Sequence, residues 1–256
     1  MAAVALTLVL LFAGAVYLRG WLDRRSIPVW RACSFLLGLL ATWVAVVSPV
    51  ASSDSRMLTA HMIQHLLLMT IAPPLIWLGE PLIAARPARD RRAGRRSSVE
   101  KVRTELGSLL GHPAFCWLAA AAALVVWHVP AIFRLGMRSP AWHFIEQASF
   151  FTTGLLFWWP VIQPWPSAAR WPRWSMLLYL FLATLPCDVL SGLLVFSDRV
   201  AYPMYLCTPQ MAGFSPLEDQ QCAAALMWTC VTVVFVVAGT ILSIQMLSPQ
   251  KEAISL

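Results

Sequence analysis

The chain is 256 residues long with a formal net charge of +7, and 59% of it is hydrophobic against only 12% charged. Together with a mean hydropathy of +0.68, this excludes an ordinary soluble globular domain and marks an integral membrane protein. At roughly 20 residues per crossing, a single transmembrane domain over 1–256 uses nearly the whole chain.

Seven apolar runs, at 3–19, 31–50, 57–79, 113–133, 143–163, 175–196 and 221–247, predict an all-α polytopic bundle of about seven transmembrane helices. Alternating ten-residue segments are absent, so a membrane barrel is disfavoured. The first run carries its charges, Arg19, Arg24 and Arg25, after the apolar core rather than before it. That is the reverse of a signal peptide, and it predicts a retained helix with a periplasmic N-terminus. Lys and Arg divide fifteen to four between the two alternating sets of loops, which places the C-terminus and the basic 80–112 loop in the cytoplasm and the 197–220 loop in the periplasm. The basic loop lacks interleaved aromatics and lies beside anionic lipid, so it fixes topology and gives no reason to expect nucleic acid.

The third run contains "HMIQHLLLMTIAPP" at residues 61–74. His61 and His65 share one face of a helix about 6 Å apart, near enough to bind one metal ion. Met57, His61, His65 and Met69 form a line at fourfold spacing with Met62 beside it, although Met69 is about 12 Å from His61 and fits a transfer path better than a single cage. Pro73 and Pro74, and Pro186 in the sixth run, should each free a backbone carbonyl and bend their helices. His128 lies in the fourth run at about the depth of His61 and His65, while His143 and Glu146 open the fifth. Asp198, Asp219, Gln220 and Met227 join this outer layer, whereas His112 reads as an ordinary interfacial residue on the other side. Ionisable groups in a bilayer are costly and face the interior of a bundle. Imidazole with thioether suits Cu(I), and imidazole with carboxylate suits zinc or Cu(II). Packing and hydrogen bonding account equally well for a lone histidine or methionine in such places.

Cys33, Cys116 and Cys230 read as small apolar residues. Cys207 and Cys222 flank a periplasmic segment and are candidates for a disulfide. Cys187 and Asp188, after Pro186, fit either packing or a deeper metal stop.

The segments "HMIQHLLLMTIAPPLIWLGEP", "WHVPAIF", "FWWPVI", "YLFLATLP" and "LEDQQCAAALMW" resemble, in order and spacing, the CtaG-type cytochrome c oxidase assembly factors, over about residues 35–245. The resemblance implies a multi-helix protein of a bacterial inner membrane that serves maturation of haem-copper oxidases. It marks His61, Gln64, His65, His128, His143, Glu146, Asp198, Asp219 and Gln220. At Gln147 the chain departs from relatives that carry a second histidine there.

The leading expectation is a non-enzymatic copper chaperone. His61, His65, His128 and His143 are its metal ligands, and Met62, Gln64, Met69, Glu146, Asp198, Asp219, Gln220 and Met227 are outer-shell groups or further ligands. Its partners are cytochrome c oxidase subunits, periplasmic copper chaperones and the lipid bilayer. The expected cofactor is copper as Cu(I), with zinc or haem as alternatives. An intramembrane zinc hydrolase competes with this reading, although "HMIQH" lacks the glutamate of HExxH. So do noncovalent haem ligation by two histidines and a purely structural scaffold for oxidase assembly.

Overall fold

The computed structural model describes residues 2–23, 27–84, 111–164, 171–207 and 213–247. All regular structure among them is helical: α1 (Ala2–Leu22), α2 (Val29–Val47), α3 (Pro49–Ser53), α4 (Leu58–Leu66), α5 (Ala72–Leu78), α6 (Pro81–Ala84), α7 (Pro113–His128), α8 (Pro130–Arg138), α9 (Pro140–Ile162), α10 (Arg173–Val195) and α11 (Pro216–Leu247), with a short 3₁₀ turn at Pro203–Cys207. Most of the basic 80–112 loop lies outside the described residues, as do Arg24, Arg25, Arg170 and Lys251, and with them most of the charge asymmetry behind the expected orientation.

Five segments are long and apolar enough to cross a membrane: Ala3–Leu22, Val29–Ser53, Leu58–Leu78, Arg173–Val195 and Pro216–Leu247. A sixth arises if α7 and α8 count as one broken span. The expected count of seven is therefore not reached by length and composition among the described residues. The remaining long helix, α9, has 23 residues but carries His143, Glu146, Gln147, Ser149, Thr152 and Thr153, which lower its hydropathy.

The third expected span is continuous but not uniform. Between α4 and α5, Leu67–Ile71 form a π-helical turn, closed by the Ala72 N–H donating to the Leu67 carbonyl five residues back. Pro73 lies just beyond. It has no N–H to offer the Met69 carbonyl, and the Trp158 indole of α9 donates to that oxygen at 3.2 Å. Gly154 of α9 makes the close approach possible, since a Cβ there would lie 2.9 Å from the Met69 backbone. The straight line expected through Met57, His61, His65 and Met69 is thus interrupted: Met69 falls inside the widened turn, half-buried against Trp158 and Leu68.

The fourth expected helix, 113–133, does not run through. It ends at His128, and α8 departs at 80°. Pro130 is the cause, because it disfavours a helical conformation for the residue before it, and Val129 is accordingly extended at φ −63° and ψ 123°. The consequence is positional: α8 turns back over the bundle, burying Phe133 and Gly136 while Arg134 and Arg138 remain exposed.

Core packing follows the helices that flank this break. One cluster joins Leu58, Met62 and Leu66 of α4 to Phe133, Cys187, Leu194, Tyr202, Ala223, Ala224 and Met227. A second joins Phe157 and Trp158 to Met176, Tyr179 and Leu180. Cys33, Cys116 and Cys230 lie within α2, α7 and α11 as expected. Cys222 is a free, exposed thiol, and the side chain of Cys207, its expected disulfide partner, lies outside the described residues.

Replacing Trp158 with Phe removes the indole donor to the Met69 carbonyl while keeping an aromatic ring. We expect thermal denaturation in detergent to show a loss of about 1–3 kcal/mol, the usual consequence of leaving a buried acceptor unsatisfied, with no change in metal affinity. An unchanged melting midpoint would show that the proline-freed carbonyl is satisfied in another way.

Candidate metal centre

The register of α4 is set from outside the helix. Its N-cap residue, Met57, supplies no side-chain cap, and Asp219 of α11 takes that role. Leu58 N donates to Asp219 Oδ2 at 2.6 Å, Thr59 N to Oδ1 at 3.3 Å, and the Thr59 hydroxyl to Oδ1 at 2.6 Å. A carboxylate there satisfies the free N–H groups of the first turn and matches the positive end of the helix dipole. Gln220, its neighbour, accepts from Ala201 N at 2.7 Å and donates to the carbonyls of Leu194 and Arg199. The "LEDQQ" segment therefore acts on backbone, holding the start of α4 and the end of α10.

One and two turns into α4, His61 and His65 face each other with ring centroids 4.2 Å apart. Glu146 of α9 reaches between them: its Oε1 is 3.5 Å from Nε2 of His61 and 3.5 Å from Nε2 of His65. His61 and Glu146 have no exposed surface and His65 has 6%. Both ring nitrogens of each histidine, both Glu146 oxygens and the whole Gln64 amide lack a hydrogen-bond partner among the described residues. Buried polar groups are otherwise nearly always paired, and a carboxylate in an apolar interior needs a compensating charge. A cation bound between two imidazoles and a carboxylate meets that need, and the donor atoms of His61, His65 and Glu146 lie within 4.8 Å of one another.

A second group shares His61. Donor atoms of Asp54, His61 and His143 also fall within 4.8 Å of one another, with His143 Nε2 3.2 Å from Asp54 Oδ2. The Gln147 amide nitrogen donates to the same His143 nitrogen at 2.8 Å, so this glutamine positions the imidazole. Burial holds the Asp54 carboxyl above the ordinary carboxylate range, against the opposing pull of His143 and His61.

Two glycine and aromatic contacts close the site from α8. A Cβ on Gly136 would lie 2.8 Å from Glu146 Oε2, so a glycine is needed for that carboxylate to sit where it does. The Phe133 ring covers His61, with centroids 4.9 Å apart. Under His65, the Phe150 ring lies at 4.1 Å.

Of the residues expected from the sequence, His61, His65 and His143 come together with Glu146, which lies at the centre of the cluster. His128 stands one step away, its ring centroid 6.1 Å from that of His65. Its Nδ1 donates to the Leu124 carbonyl at 2.7 Å, which leaves Nε2 as a lone-pair donor, buried and unpartnered. Met62 and Met227 sit in the neighbouring core cluster, Asp219 and Gln220 are engaged by backbone, and Asp198 is exposed. His112 caps α7, accepting from Ala114 N. Asp54 and Gly136 were not anticipated. Asp54 had a readable signal, lying three residues before Met57 at the same predicted membrane boundary as His143, whereas Gly136 had none.

This chain belongs to the cytochrome c oxidase caa3 assembly factor family, whose model matches residues 11–248. It is also similar to uncharacterized proteins of Mycobacterium bovis and Mycobacterium tuberculosis, each 25% identical over 212 residues, 80% of this chain and 32% of the relative. A Mycobacterium leprae protein is 23% identical over 212 residues. The chain thus spans about a third of the length of the relatives it matches. No solved structure matches it.

Gly136→Ala should push the Glu146 carboxylate off the imidazoles and weaken metal binding by roughly 10–100-fold, the range for groups that orient ligands. Asp219→Ala should instead destabilise the fold by about 1–2 kcal/mol through loss of a helix cap, with metal stoichiometry kept. Competition titration with a chromogenic chelator and thermal denaturation measure the two effects; equal metal affinity in Gly136→Ala and wild type would remove Glu146 from the site.

Proposed function

We propose that this chain is a non-enzymatic assembly factor that binds copper at the His61, His65 and Glu146 cluster and delivers it to a haem-copper cytochrome c oxidase. The observation that carries this reading is the buried cluster itself: two imidazoles and a carboxylate converge at one point without protein partners, in a family of oxidase assembly factors. His143 and Asp54 form a second donor set sharing His61, on the side that the loop charges assign to the periplasm of a bacterial inner membrane. Copper reaching the protein from a periplasmic carrier would meet that set first. Oxidase subunits are the receiving partners.

Complete burial favours a carrier over a hydrolase. A catalytic zinc keeps an open coordination position that substrate can reach, and here His61 and Glu146 are fully enclosed with Phe133 over them. Haem ligation between His65 and His128 is disfavoured by size, since the cavity they line is about 60 Å³, far below the several hundred Å³ typical of cofactor pockets.

A strain lacking the protein should assemble an oxidase that retains its haem spectrum but is deficient in copper. Wild-type protein should restore the copper, and a His61→Ala/His65→Ala variant produced at the same level should not. Normal copper content in the oxidase of the deletion strain would overturn the delivery role.

A further inference from the structure

Beneath the His61, His65 and Glu146 cluster lies a second space whose wall chemistry is different. His65 and His128 line a cavity of about 60 Å³ together with Met62, Met69, Cys187 and Met227. No carboxylate borders it. Its donors are two imidazoles, three thioethers and a thiol, a set suited to a soft monovalent cation and poor for zinc or Cu(II).

Hydrophobic packing explains the sulfur residues in part, since Met62, Cys187 and Met227 belong to one core cluster with Leu58 and Leu66. It does not explain His128. That imidazole ends α7 with its Nδ1 proton committed to Leu124 O and its Nε2 lone pair buried without a partner. The two rings also stand at a suitable separation. With metal–nitrogen bonds of about 2.0 Å and a centroid about 1.1 Å behind each nitrogen, two imidazoles on one ion have centroids about 5–6 Å apart. The observed value is 6.1 Å. His65 is common to both spaces: its Nε2 faces Glu146, its ring forms part of the cavity wall, and its Nδ1 is buried without a partner among the described residues; to hold both ions at once the ring gives up its N–H proton and bridges them as an imidazolate.

We propose that this cavity is a second, Cu(I)-selective metal site, formed by His65 and His128 with the thioethers of Met62 and Met227, distinct from the nitrogen and oxygen site above it. The inference rests on the copper-handling reading and deepens it. The upper site accepts copper in either oxidation state, and the lower one retains only the reduced ion. Cys187 lies on the same wall with its sulfur 3.8 Å from the Ser191 hydroxyl and is not one of the proposed ligands.

X-ray absorption at the copper edge, on full-length protein loaded anaerobically with Cu(I), tests the site directly. Wild type should show a sulfur shell at about 2.3 Å beside the nitrogen shell. Met62→Leu/Met227→Leu, a change that keeps core volume, should lose the sulfur shell and about half of the bound copper. Glu146→Gln should keep the sulfur shell. Ag(I), which mimics Cu(I), should compete for the sulfur-containing site in wild type and fail to bind the double methionine variant. A wild-type spectrum with nitrogen and oxygen neighbours only, or a sulfur shell that survives the double substitution, would overturn the second site while leaving the copper reading intact. Loss of the sulfur shell in Glu146→Gln would make the two spaces one site and overturn their separation. Failure of the wild type to take up any copper would overturn both readings together.

Discussion

Everything at the centre of this bundle depends on the cost of burying Glu146. An ionised carboxylate withdrawn from water loses several kcal/mol of hydration even after the surroundings relax. The imidazoles of His61 and His65 each lie 3.5 Å from Glu146, and neither of its oxygens has a hydrogen-bond partner among the described residues. Neutral histidines supply lone pairs or a single N–H, and neither compensates a charge fully. A metal ion held there would resolve the conflict by turning all three residues from desolvated liabilities into ligands. Gln64 on the same helix also has both amide atoms buried without a hydrogen-bond partner among the described residues.

The surrounding structure holds this arrangement through devices that never touch the donor atoms. Asp219 fixes where α4 begins, and so the height of both histidines. The π-helical turn and Pro73 lock that helix against α9 through Trp158, which fixes Glu146 relative to them. Pro130 breaks the chain after His128 and folds α8 back, bringing Phe133 onto His61 and a residue without a side chain, Gly136, against Glu146. Ordering costs of this kind are met by the core clusters around Met62 and Trp158, whose apolar burial contributes about 25 cal/mol per Å².

Composition and apolar runs made the helical membrane class legible, since lipid permits few alternatives. The pairing of His61 with His65 was equally legible, because fourfold spacing on a helix is a local property. Three-dimensional assignments were less so. The depth argument placed His128 and His143 near the pair but could not tell ligand from neighbour, as depth carries no information about direction around a helix axis. Depth likewise leaves Glu146 open as an outer-shell group or a further ligand, and its carboxylate lies 3.5 Å from each of the two imidazoles. Asp219 and Gln220 were read as candidates near metal; their carboxylate and amide instead serve backbone 161 and 19 positions away in the chain. Such pairings leave no trace in local pattern. The break at Pro130 was visible as a residue but not as an 80° turn, because a proline in a membrane helix also fits a gentle kink.

The most direct test of this account is anomalous diffraction from crystals of the full-length protein grown with copper, collected above and below the copper edge. The account predicts an anomalous peak at about 2.0–2.2 Å from nitrogen atoms of His61 and His65 and an oxygen of Glu146. An ordered structure with these side chains in place, no anomalous peak among them, and water bridging Glu146 to both imidazoles would contradict it and make the cluster a hydrated structural network.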